Sequence, residues 1–141
     1  MEDLGDCLFC KIIAGVIPAE KVYNDDNFIA FLDIKPVNLG HTLLVPKEHS
    51  RNIFDITDEL LTHVGPVLKK LSQAVTEATN AEGITIGWNN ERAGGQLIFH
   101  SHIHIMPRFT DDGHEHWKGK ENISSIELQK TAERIRSAVR G

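Results

Sequence analysis

The feature that most restricts the fold is the run QLIFHSHIHIM at residues 96–106, in which apolar residues largely alternate with polar ones. Successive side chains of a β-strand point to opposite faces of a sheet, so this alternation predicts one long strand. One face of that strand would be apolar and formed by Leu97, Phe99, Ile103 and Ile105. The opposite face would present three imidazoles in register, those of His100, His102 and His104.

The rest of the chain predicts further strands and helices around this run. Residues 8–14 form a short helix ended by Gly15, and residues 21–46 contain two or three strands of an antiparallel meander. A long helix begins after Thr57 as its N-cap, with a kink or a later start at Gly65-Pro66 because proline disrupts helical bonding. Residues 84–88 form another strand, and a last helix begins near Ser124, which with Glu127 has the spacing of a capping box. This order is typical of a single α+β domain.

Charge and hydropathy restrict the partners of the protein. The net charge is −5, and the basic residues are scattered, so the surface lacks the positive patch of a nucleic-acid-binding protein. No apolar run approaches the ~18 residues that a membrane helix needs. The N-terminus, MEDLGDC, has neither the basic nor the apolar region of a secretory signal. We therefore expect a cytoplasmic protein that binds small molecules, not membranes or nucleic acids.

Three chemical interpretations fit the histidines. They are bystanders on a half-exposed strand, ligands of a metal, or parts of a site for phosphoryl chemistry. One metal bound by all three is geometrically difficult, because His100 and His104 would lie about 13 Å apart on a straight strand. In the third interpretation, a neutral imidazole attacks phosphorus while its other nitrogen is bound by a fixed acceptor, such as a backbone carbonyl.

The two cysteines, Cys7 and Cys10, form a C-x-x-C pair. In a reducing compartment, such a pair favours a redox couple or half of a metal site over a structural disulfide. A metal site would need two further ligands.

Several segments resemble the histidine-triad nucleotide-binding family. HSHIHIM resembles its His-φ-His-φ-His-φ-φ signature, where φ is apolar, and the segments FCKIIAGVIPAEKVYNDD, AFLDIKPVNLGHTLLVPKEH and GGQ resemble family segments in the same order. The resemblance covers about residues 7–110, which would form the core of a domain spanning 1–141, with residues 111–141 as an extension. It implies a HIT-like fold with an antiparallel meander sheet, a short N-terminal helix, a long helix and a homodimeric assembly.

The resemblance also implies a mechanism without a catalytic metal. His102 would attack the α-phosphate of a nucleotide conjugate and form a nucleotidyl-histidine that water hydrolyses. The main-chain carbonyl of His100 would orient the attacking ring, His104 would contact the phosphate, and His41 would support the site.

The implied nucleotide-binding residues fall into three groups. Asp33 would accept hydrogen bonds from the ribose hydroxyls, a role suited to a carboxylate. At the phosphate end, Gln96 would bridge oxygens, with Asn89 and the backbone of Gly95 nearby. A purine slot would be formed by Phe9, Ile12, Phe31 and Ile34, although from the residues alone these are equally ordinary core positions.

The resemblance gives the cysteines two partners. Relatives with C-x-x-C bind zinc through both cysteines, a downstream histidine and the first triad histidine, which here are Cys7, Cys10, His49 and His100. Such a Cys₂His₂ set is typical of structural zinc. The alternative is a free thiol pair with His49 at the surface.

The implied activity is hydrolysis of purine nucleoside phosphoramidates or related nucleotidyl conjugates. The Met106-Pro107-Arg108 ending resembles bacterial and diadenosine-polyphosphate-hydrolase branches, so that activity is an alternative. Leu97 stands where many members have Ser or Thr, whose hydroxyl would assist the leaving group. A further alternative is therefore a weakly catalytic regulatory protein, and another is a hydrolase whose zinc is bound by His102 and His104.

Overall fold

The computed structural model describes residues 5–140, so the ends of the predicted 1–141 domain lie outside it. Its elements are α1 (Leu8–Ile13), β1 (Lys21–Asn24), β2 (Phe28–Leu32), β3 (Thr42–Pro46), α2 (Asp58–Leu61), α3 (Val64–Thr79), β4 (Gly83–Gly87), a 3₁₀ turn (Arg92–Gly94), β5 (Ile103–Arg108) and α4 (Ser125–Ala138). The strands form an antiparallel sheet in the order β1-β2-β3-β5-β4. The α+β class is confirmed, although the meander is limited to β1–β3 because β5 lies between β3 and β4.

Helices cover both faces of the sheet. On one face, α2 and α3 pack on a cluster made of Phe28, Ala30, Leu44, Ile103 and Ile105. On the other face, α1 packs on Ile29, Phe31, Leu43 and Val45. Alternate residues of β2 and β3 therefore enter opposite clusters, as the two-residue period of a strand requires. The α1 side of the sheet also carries the candidate site.

The predicted long helix is two helices. Thr57 caps α2 by accepting a hydrogen bond from the Leu60 backbone N–H, as predicted. The chain then breaks, and α3 begins at Val64. Pro66 lies in the first turn of α3, where a backbone N–H has no intrahelical acceptor and proline is tolerated. The later start is therefore confirmed.

The prediction of a strand over residues 96–106 is wrong in its first half. Only Ile103–Arg108 is a strand, and residues 96–102 are irregular. Their hydrogen bonds go elsewhere: the Ser101 backbone N–H donates to the Ser50 carbonyl at 2.8 Å. As a result, Leu97 does not share the buried face of Ile103, and its side chain is 86% exposed.

The C-terminal extension contains the predicted last helix. Ser124 and Glu127 form the expected capping box at the start of α4. None of the residues of α4 is buried, and its large apolar side chains, such as those of Leu128 and Ile135, are exposed. Within residues 5–140, no helix has the length and apolar character needed to cross a membrane.

Candidate active site

A pocket of about 480 Å³ opens beside α1 on the second face of the sheet. Its lining combines apolar side chains at one end with histidines and polar groups at the other. Nine of the residues singled out from the sequence border it, namely Phe9, Ile12, Phe31, Asp33, Ile34, Asn89, Gly95, His102 and His104. The fold thus brings together residues separated by up to 95 positions (104 − 9) in the chain.

The ring of His102 is held in one tautomer by the main chain. Its Nδ1 lies 2.7 Å from the carbonyl oxygen of His100, which can only accept, so Nδ1 carries the proton. Nε2 is then left with its lone pair. Burial lowers the pKa of His102, although the His100 carbonyl and the charge of Asp33 partly oppose this effect. His102 is therefore a neutral imidazole, the form that acts as a nucleophile.

A second backbone group fixes His104 through His41. The Val37 backbone N–H donates to His41 Nδ1 at 3.0 Å, so the proton of neutral His41 is on Nε2. His41 Nε2 lies 2.9 Å from His104 Nδ1 and donates to it. The proton of His104 is consequently on Nε2. His104 can donate a hydrogen bond to a phosphoryl oxygen without carrying a charge.

The lowered pKa values predict that activity persists in mild acid. Burial and the neighbouring His102 and His41 lower the pKa of His104 to about 4, and burial lowers that of His102 below the usual value of about 6.5. A protonated His102 has no lone pair with which to attack, so the acidic midpoint of kcat/KM should lie below the usual histidine pKa of about 6.5. A pH profile with its acidic midpoint at or above about 6.5 would contradict this prediction.

The same shifts set the direction of the pH dependence of stability. Unfolded histidines bind protons near pH 6.5, before the buried ones do. The free energy of unfolding should therefore be highest above about pH 6.5 and decrease as the pH falls towards about 4.

The apolar end of the pocket is lined by aromatic and aliphatic side chains. Phe9 packs edge-on against Phe31, with ring centroids 5.3 Å apart, and against His102 at 5.0 Å. Ile12 is buried beside them, whereas Ile34 is 91% exposed and lies at the rim. Asp33 closes this end: one carboxylate oxygen accepts the Lys35 backbone N–H, and the other is not bonded within 3.5 Å among the described residues.

The polar end is shaped by Gly95 and Asn89. Gly95 has a positive φ of 92°, which glycine adopts without steric cost. A Cβ at this position would lie 3.3 Å from Asn89 Nδ2, which donates to the Gly95 carbonyl. A substitution at Gly95 would therefore displace Asn89 from the edge of the pocket.

The four expected zinc ligands converge behind the pocket. The side-chain donor atoms of Cys7, Cys10, His49 and His100 all lie within 4.8 Å of one another. Individual separations of 3.0–3.6 Å approach the roughly 3.3–3.8 Å edges of a tetrahedral zinc site. His100 Nε2 lies 2.8 Å from the Pro46 carbonyl, so Nε2 carries the proton and Nδ1 presents its lone pair to the cluster.

The thiols of this cluster are suited to a cation. Burial, followed by the hydrogen bond and charge of Cys7, raises the pKa of Cys10 to about 11. Two adjacent thiolates are thus unfavourable unless a positive ion neutralises them. The residues fit a structural zinc ion.

A second group, Asp33, His41 and His104, does not fit a metal ion. Its donor atoms also lie within 4.8 Å of one another. However, His41 accepts the Val37 N–H at Nδ1, so ligation through Nε2 would leave His41 as an imidazolate. This group is better described as a hydrogen-bonded histidine pair next to a carboxylate.

A model of the HIT domain matches residues 14–111. The chain belongs to the HIT family. Two relatives are adenylylsulfatase HINT3 of Arabidopsis thaliana, 36% identical over 96% of this chain and 68% of that protein, and adenosine 5'-monophosphoramidase hnt1 of Schizosaccharomyces pombe, 39% identical over 72% of this chain and 74% of that protein.

Solved HIT structures share the fold closely. A protein from Streptococcus mutans superposes with a TM-score of 0.89 at 41% identity, covering 96% of this chain and 86% of that one. A Zn-bound histidine-triad protein from Mycobacterium smegmatis has a TM-score of 0.74 at 31% identity, covering 95% and 98%.

In this HIT-family protein, the side chain of Gln96 does not have the role expected from the sequence. It is 1% exposed, and its amide is fully used within the protein. Its oxygen accepts from Asn52 and the Glu91 N–H, and its nitrogen donates to the carbonyls of Arg51 and Ile98. Gln96 therefore cannot bridge phosphate oxygens with this amide, and instead holds the loop that borders the pocket.

No pattern in the sequence indicates the partners of Gln96 in this network. Asn52 is buried, and Glu91 forms a bidentate ion pair with Arg51 across 40 positions of the chain. Nothing in the segment NNERAGG distinguishes Glu91 from a solvated loop residue. The only local signal is the two glycines that follow it, which mark a turn.

Proposed function

We propose that this HIT-family protein hydrolyses adenosine phosphoramidates or related nucleotidyl conjugates at the α-phosphate. The observation that carries the proposal is the tautomer of His102, whose Nδ1 is bound to a main-chain carbonyl while Nε2 keeps its lone pair. The two named relatives, an adenylylsulfatase and an adenosine 5'-monophosphoramidase, act on adenylyl compounds and support the same substrate class.

The proposed reaction has two displacements. His102 Nε2 attacks the α-phosphorus, the bond from phosphorus to the leaving group breaks, and the leaving group takes the electron pair and a proton from solvent. Water then attacks the same phosphorus and gives up a proton to solvent, the bond from phosphorus to His102 breaks with its electron pair returning to Nε2, and a nucleoside monophosphate is released. His104 donates its Nε2 proton in a hydrogen bond to a phosphoryl oxygen, which stabilises the charge that develops there.

The binding of the nucleotide follows from the lining of the pocket. The base would enter between Phe9, Ile12 and Phe31, with Ile34 at the rim, and Asp33 would accept the ribose hydroxyls. The phosphate would lie between the histidines and the edge formed by Asn89 and Gly95. No catalytic metal is required, because the nucleophile is an imidazole held neutral by burial.

Zinc has a structural role in this proposal. Cys7, Cys10, His49 and His100 would hold it, and the ion would supply a rigid cross-link between α1 and the segment before β5. The Zn-bound relative from Mycobacterium smegmatis supports this assignment. Because His100 also accepts the hydrogen bond from His102, the cross-link lies next to the nucleophile.

We also propose a homodimer. An open groove of about 670 Å³ lies between the outer side of α3 and β4, and Leu68 and Ile86 contribute apolar surface to it. β4 is an edge strand with backbone groups available for pairing. A second copy would extend the sheet and bury this groove, and sedimentation of the purified protein tests the assembly.

The decisive assay compares two substrates on the same protein. An adenosine phosphoramidate and a diadenosine polyphosphate are supplied in parallel, and mass spectrometry searches for adenylylated His102. Preference for the second substrate would favour the alternative activity that Pro107-Arg108 indicates. In the structure, Arg108 is bound to Asp112 and does not border the pocket, so this ending does not by itself favour either substrate.

Leu97 offers a separate test of the leaving-group step. It borders the pocket but has no proton to donate. Leu97→Ser is therefore expected to raise kcat on amine leaving groups, by about tenfold if a hydroxyl supplies the missing acid. Hydrolysis of conjugates with weakly basic leaving groups should change little. An equal effect on both classes of leaving group, or no effect on either, would show that another donor or water already protonates the leaving group. A trace rate of hydrolysis with every substrate would favour a regulatory role.

A further inference from the structure

The segment from His49 to Asn52 runs beside the loop of residues 91–101, which directly precedes His102. Each of its four residues bonds to that loop. His49 Nδ1 lies 3.0 Å from His100 Nδ1, and the Ser50 hydroxyl lies 2.6 Å from that of Ser101. The next two residues, Arg51 and Asn52, both bind Glu91 and Gln96. The segment is thus attached to both ends of the 91–101 loop.

Glu91 has an unusual backbone in this loop. Its φ of 64° and ψ of 162° lie in a region that is essentially restricted to glycine. Such a conformation persists only where surrounding bonds enforce it. Its N–H donates to Gln96 Oε1 at 2.8 Å, and its carbonyl accepts the Gln96 N–H at 3.1 Å. Both backbone groups of Glu91 are therefore tied to the residue that closes the loop.

The side chain of Glu91 completes the restraint. Arg51 donates to its two oxygens through Nε and Nη2, each at 2.8 Å, and the buried Asn52 amide donates to one of them at 2.9 Å. Arg51, followed by Asn52, holds the pKa of Glu91 at about 2, so the carboxylate is charged at any working pH. Arg51 is itself stacked on Phe99, with 4.3 Å from its guanidinium carbon to the ring centroid.

The loop held in this way forms one wall of the pocket. Asn89 lies two positions before Glu91 and Gly95 directly precedes Gln96, and both Asn89 and Gly95 border the pocket together with His102 and His104. We propose that Glu91 is a positioning residue, whose ion pair with Arg51 holds the 89–96 loop in the conformation that binds the phosphate of the nucleotide. This inference rests on the proposed function, because it assigns the phosphate to that wall.

The arrangement favours a role in positioning over a role in stability. The Arg51 and Glu91 side chains are about half exposed, and exposed ion pairs contribute little to the free energy of unfolding. Fold stability would be obtained more simply with glycine at position 91, which adopts this φ freely. The bonds of Glu91 converge on the loop and not on the core.

The test compares AMP with adenosine, since the two differ only in the phosphate. In Glu91→Ala, the strained φ and the backbone bonds to Gln96 remain, but the side-chain bonds to Arg51 and Asn52 are gone, so the loop should relax. We expect AMP affinity to fall about tenfold or more, while adenosine affinity stays within about twofold. Glu91→Gly removes the strain together with the side chain, and its AMP affinity should lie closer to that of the unaltered protein. Glu91→Gln retains a side chain long enough to reach Arg51, so it should lower AMP affinity the least of the three variants.

Two controls match these variants. Asn80→Gly removes the side chain from another non-glycine residue with a positive φ, at the end of α3, and Glu115→Gln removes another exposed ion pair, with Lys118. Neither should change the ratio of AMP to adenosine affinity.

The proposal is overturned if Glu91→Ala leaves the ratio of AMP affinity to adenosine affinity unchanged. This includes the case in which both affinities fall equally as the melting temperature of the variant falls. It is also overturned if Glu91→Gly binds AMP as weakly as Glu91→Ala. These are binding measurements, so they remain informative if His102→Asn retains turnover and the proposed function fails. Conversely, an unchanged ratio together with adenylylated His102 would leave the proposed function intact.

Discussion

His102→Asn is expected to abolish turnover of adenylyl conjugates. Asparagine can still donate its amide N–H to the His100 carbonyl, but it has no ring nitrogen to form a bond to phosphorus. Loss of a covalent nucleophile reduces kcat by several orders of magnitude, down to the contribution of binding and the remaining hydrogen bonds. Nucleotide binding should remain within about tenfold, or ~1.4 kcal/mol, because the base slot and Asp33 are unaltered.

The measurement combines single-turnover kinetics with calorimetric titration of AMP and mass spectrometry of the quenched protein. His116→Asn, the same change at an exposed histidine of the extension, is the matched control and should retain full activity. Turnover by His102→Asn at the rate of the unaltered protein would overturn the nucleophile assignment. Loss of AMP binding alongside turnover would instead place His102 among the binding groups.

Removal of zinc is expected to lower stability more than it lowers the activity of the folded protein. If free zinc is kept about 1,000-fold above its dissociation constant, binding contributes about 4 kcal/mol to the free energy of unfolding. For a chain of this size, that corresponds to a fall in Tm of about 12 °C on chelation. The nucleophile keeps its acceptor after chelation because the His100 carbonyl belongs to the main chain.

The experiment measures zinc content, Tm and kcat before and after chelation, and again after zinc is restored. Cys7→Ser/Cys10→Ser is the matched control, since chelation should not change its Tm. One zinc ion per chain with a reversible shift in Tm is the expected result. Reversible loss of turnover without a change in Tm would indicate a catalytic ion. If chelation leaves the Tm of the zinc-loaded protein unchanged, the structural role is contradicted.

The features that could be predicted are those carried by short sequence motifs, either a match to family segments or the local motifs of helix ends. Cys7 and Cys10 lie 42 and 39 positions from His49, yet the resemblance placed all three with His100, and the structure brings their donor atoms together. The capping box of α4 and the late start of α3 follow from local chemistry, and both were predicted. The two helix features follow from the residue types themselves, whereas the group of cysteines and histidines was placed by the resemblance to the family.

The parts that could not be predicted depend on long-range polar partners. Alternation over residues 96–106 predicted a continuous strand, but the Ser101 N–H bonds to Ser50, so the strand begins only at Ile103. Gln96 is drawn into the interior by Asn52 and the Arg51 carbonyl, which no local pattern reveals. Likewise, nothing in the sequence indicates that Glu91 adopts a conformation normally restricted to glycine.

The position of His100 has an evolutionary consequence. Its ring faces the cysteines, but its contact with the nucleophile is made by the main-chain oxygen, which every amino acid possesses. A lineage can therefore lose both cysteines, and then exchange the side chain at position 100, without altering the group that orients the attacking ring. The proposed metal site and the proposed reaction could therefore diverge independently, so gain or loss of the C-x-x-C pair should follow the demands of temperature and environment on the fold.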